Sequence, residues 1–288
     1  MRHFRILRLL TVIAFVAMLG FYAAYSIYYA RTYDSTPPVI RFDEDTLRVS
    51  VTDGDAALLT DVTAEDKQDG DVSTSLVIAS KARFSAENTR KITYAAFDHQ
   101  GNIATAERTV IYTDYASPEF TLSQPLRYCT GTTSYDYMDN LSVVDCLDGD
   151  IAYKIKYSYD EDNYVYYNGI GEMRMTFSVS NSAGDTSSLD IMLEILTVDE
   201  YAKPCPALSE YVVYTDPGET LDLSGYIIGY MQDGVTHTFA DSSYSAGQVS
   251  ISGDVDYSTS GTYRVIYTLN RSYGSEQLGS VSLYVVVR

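Results

Sequence analysis

Gly261-Thr262-Tyr263-Arg264-Val265-Ile266-Tyr267-Thr268-Leu269-Asn270-Arg271 sets the reading of the whole chain. Tyr263, Val265, Tyr267 and Leu269 alternate with Thr262, Arg264, Ile266 and Thr268. A period of two in β-branched and aromatic residues is the pattern of a half-buried strand. A turn at Tyr273-Gly274-Ser275 and a second strand over Val281 to Val287 follow. The same unit occurs twice upstream. Glu172 to Ser180 leads through Gly184 to Leu189–Leu196, and Lys91 to Phe97 leads through Gly101 to Ala104–Thr113. The turn glycines Gly101, Gly184 and Gly274 stand 83 and 90 residues apart, the spacing of three small domains.

Ahead of the repeats, residues 1–8 are basic, and Leu9 to Ala30 runs 22 residues without a charge. A helix of that length spans about 33 Å, enough for a hydrocarbon core of about 30 Å. Arg2, Arg5 and Arg8 predict a cytoplasmic N-terminus, with everything after the helix outside. Tyr22, Tyr25, Tyr28 and Tyr29 would form an aromatic belt at its outer end. The competing reading is a signal peptide cleaved near Ala24-Tyr25-Ser26, which would release the chain as a secreted protein. Either reading places residues 34–288 outside the cytoplasm.

The remaining expectations on organisation follow from turn signals and prolines. Residues 31–37 read as a linker, 38–115 as a first sandwich and 117–198 as a second. Residues 199–206 read as another linker and 207–288 as a divergent third sandwich. The fold class expected is all-β: three tandem immunoglobulin-like β-sandwiches after one transmembrane helix. Within them, Leu58–Ala64, Val72–Ala79 and Ile151–Tyr159 are read as extended. Linkers this short predict a rod of limited flexibility.

Charge excludes a class of partner. The chain carries 20 basic and 39 acidic residues, a net −19, and the first 33 residues hold four of the basic ones and no acidic one. Such an acidic ectodomain repels nucleic acid and anionic headgroups.

A second motif precedes the central strand of each unit. It reads Glu65-Asp66-Lys67-Gln68-Asp69-Gly70-Asp71-Val72 in the first and Val144-Asp145-Cys146-Leu147-Asp148-Gly149-Asp150-Ile151 in the second. Only Gln232-Asp233-Gly234-Val235 remains in the third. With the G-T-Y-x-V-x-Y strand and the Asp98-His99-Gln100-Gly101-Asn102 turn, these residues resemble bacterial immunoglobulin-like domains. Such domains repeat in Gram-positive surface proteins, are appended to some pesticidal crystal toxins and are related to hyalin-type repeats. The second unit has Asn181 for Asp98 and Asp185 for Asn102; the third has Arg271 at the strand end. The resemblance covers residues 37–288. It implies an immunoglobulin-like fold and a role as spacer, adhesion or binding module, and a fold of this kind does not select among them.

Four sets of residues are candidates for chemistry. Asp66, Asp69 and Asp71, and their counterparts Asp145, Asp148 and Asp150, offer hard oxygen ligands to calcium. The competing role is a turn in which aspartates accept from nearby backbone N–H groups. Apart from calcium, no cofactor is expected. Tyr157, Tyr159, Tyr164, Tyr166 and Tyr167, interleaved with acidic residues, suit stacking on a sugar or a protein interface, or simple cross-strand packing. Cys129 and Cys146 are a candidate disulfide or two small apolar thiols. Cys205 stands alone between two prolines. No nucleophile elbow, phosphate-binding glycine loop or zinc-ligand pair occurs, and the three histidines are isolated, so no enzyme is expected. The partners expected are the membrane, through the helix, and a surface protein or an envelope glycan.

Overall fold

The alternation around Tyr267 is realised as a strand whose Val265, Tyr267 and Leu269 side chains are fully buried. The computed structural model of the chain describes all residues except 1, 87, 133–136, 160–164, 168–169 and 272–276. The expected turn at 273–275 lies outside the described residues. The chain divides into two compact units, Met1–Tyr115 and Ala116–Arg288.

The first unit begins with helix α1, Arg2–Thr32. Within it Ile6–Tyr29 is long and apolar enough to cross a membrane, with a mean hydropathy of 2.1 and none of it buried by the rest of the protein. Tyr25, Tyr29 and Tyr33 stack in succession along one face, at the spacing of one turn. The sandwich that follows has seven strands: β1 (Val39–Phe42), β2 (Thr46–Val49), β3 (Val62–Asp66), β4 (Gly70–Asp71), β5 (Val77–Ala86), β6 (Thr89–Phe97) and β7 (Ile103–Tyr112). One sheet has the order β1-β3-β4 and the other β2-β7-β6-β5. β2 runs parallel to β7 and every other pairing is antiparallel. The first strand of the sandwich thus crosses from one sheet to the other.

The second unit repeats this topology twice. Its first sandwich contains β8 (Glu119–Leu122), β9 (Arg127–Cys129), β10 (Leu141–Asp145), β11 (Gly149–Asp150), β12 (Lys156–Tyr159), β13 (Val165–Tyr167), β14 (Ile170–Ser180) and β15 (Thr186–Leu196). The other contains β16 (Cys205–Leu208), β17 (Val212–Thr215), β18 (Ile227–Gln232), β19 (Val235–His237), β20 (Val249–Ser252), β21 (Gly261–Asn270) and β22 (Gln277–Val287). In both, the crossing strand ends parallel to the last one, β9 on β15 and β17 on β22. The three are immunoglobulin-like β-sandwiches.

One core position shows how closely the copies correspond. Tyr94, Phe177 and Tyr267 occupy the same place in β6, β14 and β21, and all are fully buried. The Tyr94 hydroxyl donates to the Leu58 carbonyl at 2.7 Å, and the Tyr267 hydroxyl to that of Leu223 at 2.7 Å. Each satisfies a connecting-segment carbonyl that would otherwise be stranded against the core.

The structure corrects several local expectations. Gly54–Leu58 is a short helix, α2, and the extended chain begins only at Val62. Ser73–Ser75 and Ala152–Lys154 are 3-10 turns, not strand. Asp71 accepts from the Ser73 amide and Asp150 from the Ala152 amide, both at 2.9 Å, and these local bonds compete successfully with a ladder. The segment expected as a linker at 199–206 holds helix α3 (Val198–Tyr201), capped by Thr197, and the first residues of β16. Cys205 is a buried core residue there.

Within the second unit the two sandwiches are packed together rather than merely joined by a short linker. Its two sandwiches share one hydrophobic cluster, running from Phe120 to Val287. The Met192 amide on β15 donates to the Tyr284 hydroxyl on β22 at 2.8 Å, and the Phe120 amide donates to the Tyr214 hydroxyl at 2.7 Å. Arg264 on β21 pairs with Glu172 at 2.7 Å and Glu194 at 2.8 Å.

Candidate metal centre

The acidic motif folds as a hairpin between β3 and β4, with Gly70 at φ 76°, a conformation that favours glycine. Each aspartate has a separate place in it. Asp66, at the end of β3, accepts the amides of Gln68 (2.7 Å) and Asp69 (2.9 Å) through Oδ1. Asp69, half-buried, accepts the His99 amide at 2.8 Å, tying this hairpin to the β6–β7 turn. Asp71 caps the 3-10 turn through Ser73.

The second sandwich reproduces the arrangement. Asp145 Oδ1 accepts the amides of Leu147 (3.0 Å) and Asp148 (2.8 Å). Asp148 accepts the Ser182 amide at 2.7 Å and its hydroxyl at 2.6 Å, and also pairs with Lys154 at 3.0 Å. Asp150 caps the following turn.

What Asp66 meets across the hairpin was not legible as a motif. Asp34, Asp66 and Asp98 are all buried, and each brings a carboxylate oxygen to within 4.8 Å of the others. Asp34 comes from the segment between α1 and β1, and Asp98 from the end of β6. Asp34 Oδ1 accepts the amide (2.9 Å) and hydroxyl (2.6 Å) of Thr36. Asp98 Oδ1 accepts the amides of Gln100 (2.9 Å) and Asn102 (2.8 Å), and its Oδ2 accepts the Asn102 side-chain amide at 2.6 Å. That amide also reaches the Asp34 carbonyl at 3.1 Å. Oδ2 of Asp34 and Oδ2 of Asp66 are buried and accept no hydrogen bond.

Hydrogen bonds favour the anion at Asp66 and at Asp98. The amides of Asp69 and Gln68 hold the Asp66 carboxyl below the usual carboxylate range. Burial opposes ionisation of Asp98, yet the bonds from Asn102, Gln100 and Gly101 prevail and lower its pKa. Among the described residues no Lys or Arg pairs with any of the three, and theirs is the one group of three acidic, histidine or cysteine side chains so closely convergent.

At the corresponding place in the second sandwich, Asn181 stands for Asp98. Its side-chain amide donates to Asp145 Oδ2 at 3.0 Å, so a proton donor fills the site. Asp114, which precedes Pro118 by the same four residues that separate Asp34 from Pro38, accepts instead from Ser50 Oγ (2.5 Å) and the Val51 amide (2.8 Å).

The other candidates lie elsewhere. Tyr157 and Tyr159 on β12 are about half exposed, and Tyr157 packs edge-on against Tyr137. Tyr164 lies outside the described residues, as do the side chains of Tyr166 and Tyr167 on β13. Among the described residues no disulfide joins Cys129 to Cys146; Cys129 is half-buried, Cys146 exposed and Cys205 buried. The Cys129 thiol donates to the Thr130 carbonyl and that of Cys146 to the Ala116 carbonyl. Arg127 donates to Cys205 Sγ at 2.8 Å, while burial pushes that thiol's pKa up. Burial likewise raises the Glu194 carboxyl, against the pull of Arg127 and Arg264.

No protein-family model and no curated protein matches the chain. Solved structures with matching segments include CBM51-2 with GlcNAc and INT domains of Clostridium perfringens ZmpB, at 14% identity and TM-score 0.22, covering 54% of this chain and 41% of that one. Others are the protocadherin GammaB4 extracellular domain (14%, TM-score 0.21, 88% of this chain and 50% of that one) and human CDH23 EC21-23 (12%, TM-score 0.20, 87% and 100%). The chain thus spans half or less of the length of the ZmpB and protocadherin chains it matches. Likenesses this distant transfer no activity.

Proposed function

We propose that this chain is a non-enzymatic, membrane-tethered module that carries three immunoglobulin-like sandwiches outside the cell and acts as a spacer, adhesion or protein-interaction element. The observation that carries the reading is the 24-residue apolar span of α1, wholly unburied by protein and followed within a few residues by the first sandwich. An unburied apolar surface of that length suits a bilayer. The arginines before it orient the sandwiches outward. The resemblance to Gram-positive surface repeats supports a bacterial envelope setting, and the acidic surface suits a protein partner or neutral polymer better than a polyanion.

Intact cells expressing the full chain, treated with an external protease, test the topology. Digestion of the sandwiches, with an N-terminal fragment retained in carbonate-washed membranes, is expected. Full protection from protease would overturn the outward orientation, and recovery of a shortened chain in the medium would replace the anchor by a cleaved signal.

A second reading is glycan binding at the tyrosine-rich edge of the second sandwich. It rests on Tyr153, Tyr157 and Tyr159, at 81%, 51% and 52% exposure, beside the lysines of β12 and its preceding turn. Loss of retention on envelope polysaccharide in a Tyr153→Ala, Tyr159→Ala double variant would support it; equal retention would remove it.

A further inference from the structure

We propose that Asp34, Asp66 and Asp98 bind a calcium ion, and that this ion fastens the segment leaving the apolar helix to the first sandwich. The inference is independent of which partner the sandwiches contact. Three observations combine in it.

The first is geometric. Calcium takes oxygen ligands at about 2.3–2.6 Å, so oxygens around one ion lie within about 5 Å of each other. The three carboxylates converge within 4.8 Å. The second is the state of the individual oxygens. Asp34 and Asp66 are 2% and 4% exposed, each uses Oδ1 for local backbone bonds, and each keeps a buried Oδ2 with no donor. A buried carboxylate oxygen without a donor is costly, and three anions packed without a cation are costlier still. A divalent ion removes both costs. The third is the companion sandwich. There the same scaffold carries an amide at the Asp98 position, and the amide satisfies the oxygen that Asp66 leaves open.

The donor set selects the ion. All ligands are hard oxygens, with no thiol or imidazole among them, which excludes zinc and copper. Magnesium keeps most of its water and is held by one or two carboxylates, whereas three convergent ones suit calcium. Because Asp34 lies two residues beyond α1 while Asp66 and Asp98 end strands of different sheets, the ion would join three separate segments. The membrane end of the sandwich would then be held at a fixed exit.

Calorimetric titration of the full chain in detergent with calcium chloride, before and after chelation, tests this directly. One site per chain is expected, with a dissociation constant on the order of 0.1–1 mM, as in extracellular calcium modules. Asp98→Asn, which imitates the second sandwich, should abolish that site while leaving the β-sheet circular dichroism unchanged; Asp34→Asn should weaken it at least ~10-fold. Asp69→Asn, outside the cluster, should keep it. Calcium should slow proteolysis at Tyr33–Pro37 in the parent chain and not in Asp98→Asn. No saturable site up to about 10 mM calcium, an unchanged site in Asp98→Asn, or magnesium binding as tightly as calcium would overturn the proposal.

Discussion

The hairpins of the first and second sandwiches are nearly superimposable in their hydrogen bonds and differ in what faces their central aspartate. Asp66 and Asp145 accept the same pair of amides, and Asp69 and Asp148 make the same tie to the neighbouring turn. Asp66 then faces two more carboxylates, whereas Asp145 faces the Asn181 amide. Two differences, the oxygen or nitrogen at position 98 or 181 and the presence or absence of an Asp34 counterpart, separate three convergent carboxylates from a single one whose second oxygen already has a donor. The motif itself is a turn device, and the chemistry comes from residues outside it.

Exchanging that atom is the strongest way to break the contrast. Asn181→Asp would set a second buried carboxylate against Asp145 Oδ2 with no donor between them. It should cost about 2–4 kcal/mol at neutral pH, read by urea denaturation, and the loss should shrink in acid as the pair takes up a proton. An effect below about 0.5 kcal/mol would mean that the second site opens to water or ions.

Arg264→Met probes the other feature peculiar to the second unit, its shared core. Glu194 would stay buried with only Arg127, at 3.5 Å, beside it. A destabilisation of about 2–3 kcal/mol is expected, less than for a fully enclosed pair because Glu172 is partly solvated. Adding Glu194→Gln should recover part of it.

The shared turn device predicts a smaller effect. Asp66→Ala and Asp145→Ala each remove the acceptor of two backbone amides. Each should cost about 1–3 kcal/mol in calcium-free buffer. Asp66→Ala should cost the less of the two there, because it also relieves three convergent buried carboxylates, and calcium should enlarge its cost by stabilising only the parent chain.

The smallest difference lies in Asp69 and Asp148, which tie each hairpin to the neighbouring turn. Asp148→Asn loses the pairing with Lys154, which Asp69→Asn lacks, and should cost more by about 0.5 kcal/mol. Acid should act on both hairpins. Hydrogen bonds from Ser73 hold the Asp71 carboxyl below its usual value; burial opposes this at Asp148, but Ser182 and Lys154 outweigh it. The unfolded chain therefore binds these protons first. Stability should be fully present above about pH 4 and fall as the pH drops further, as a thermal melt series would show.

Much of this was legible before any coordinates. Local periodicity decides a strand, because alternate side chains must face one core, and Lys91–Phe97, Glu172–Ser180 and Gly261–Asn270 all read that way and are strands. The apolar helix was equally plain from its length. Asp66 could be singled out within a repeated acidic motif, and Asp98 opens the Asp98–Asn102 turn. Asp34 carried no signal, since a lone aspartate before a proline pair looks like any linker residue. The faint clue was its position four residues before Pro38.

By itself the amino-acid sequence determined the repeat, the central strands of each sandwich, the apolar helix and the net acidic charge, because each follows from spacing along the chain or from charge summed over it. Tertiary structure decided what touches what. It brought Asp34, Asp66 and Asp98 together from positions 32 residues apart and joined the second and third sandwiches through Arg264, Tyr284 and Tyr214. Burial turned three ordinary carboxylates into a site, and burial depends on the packed neighbours of a residue rather than on its neighbours in sequence.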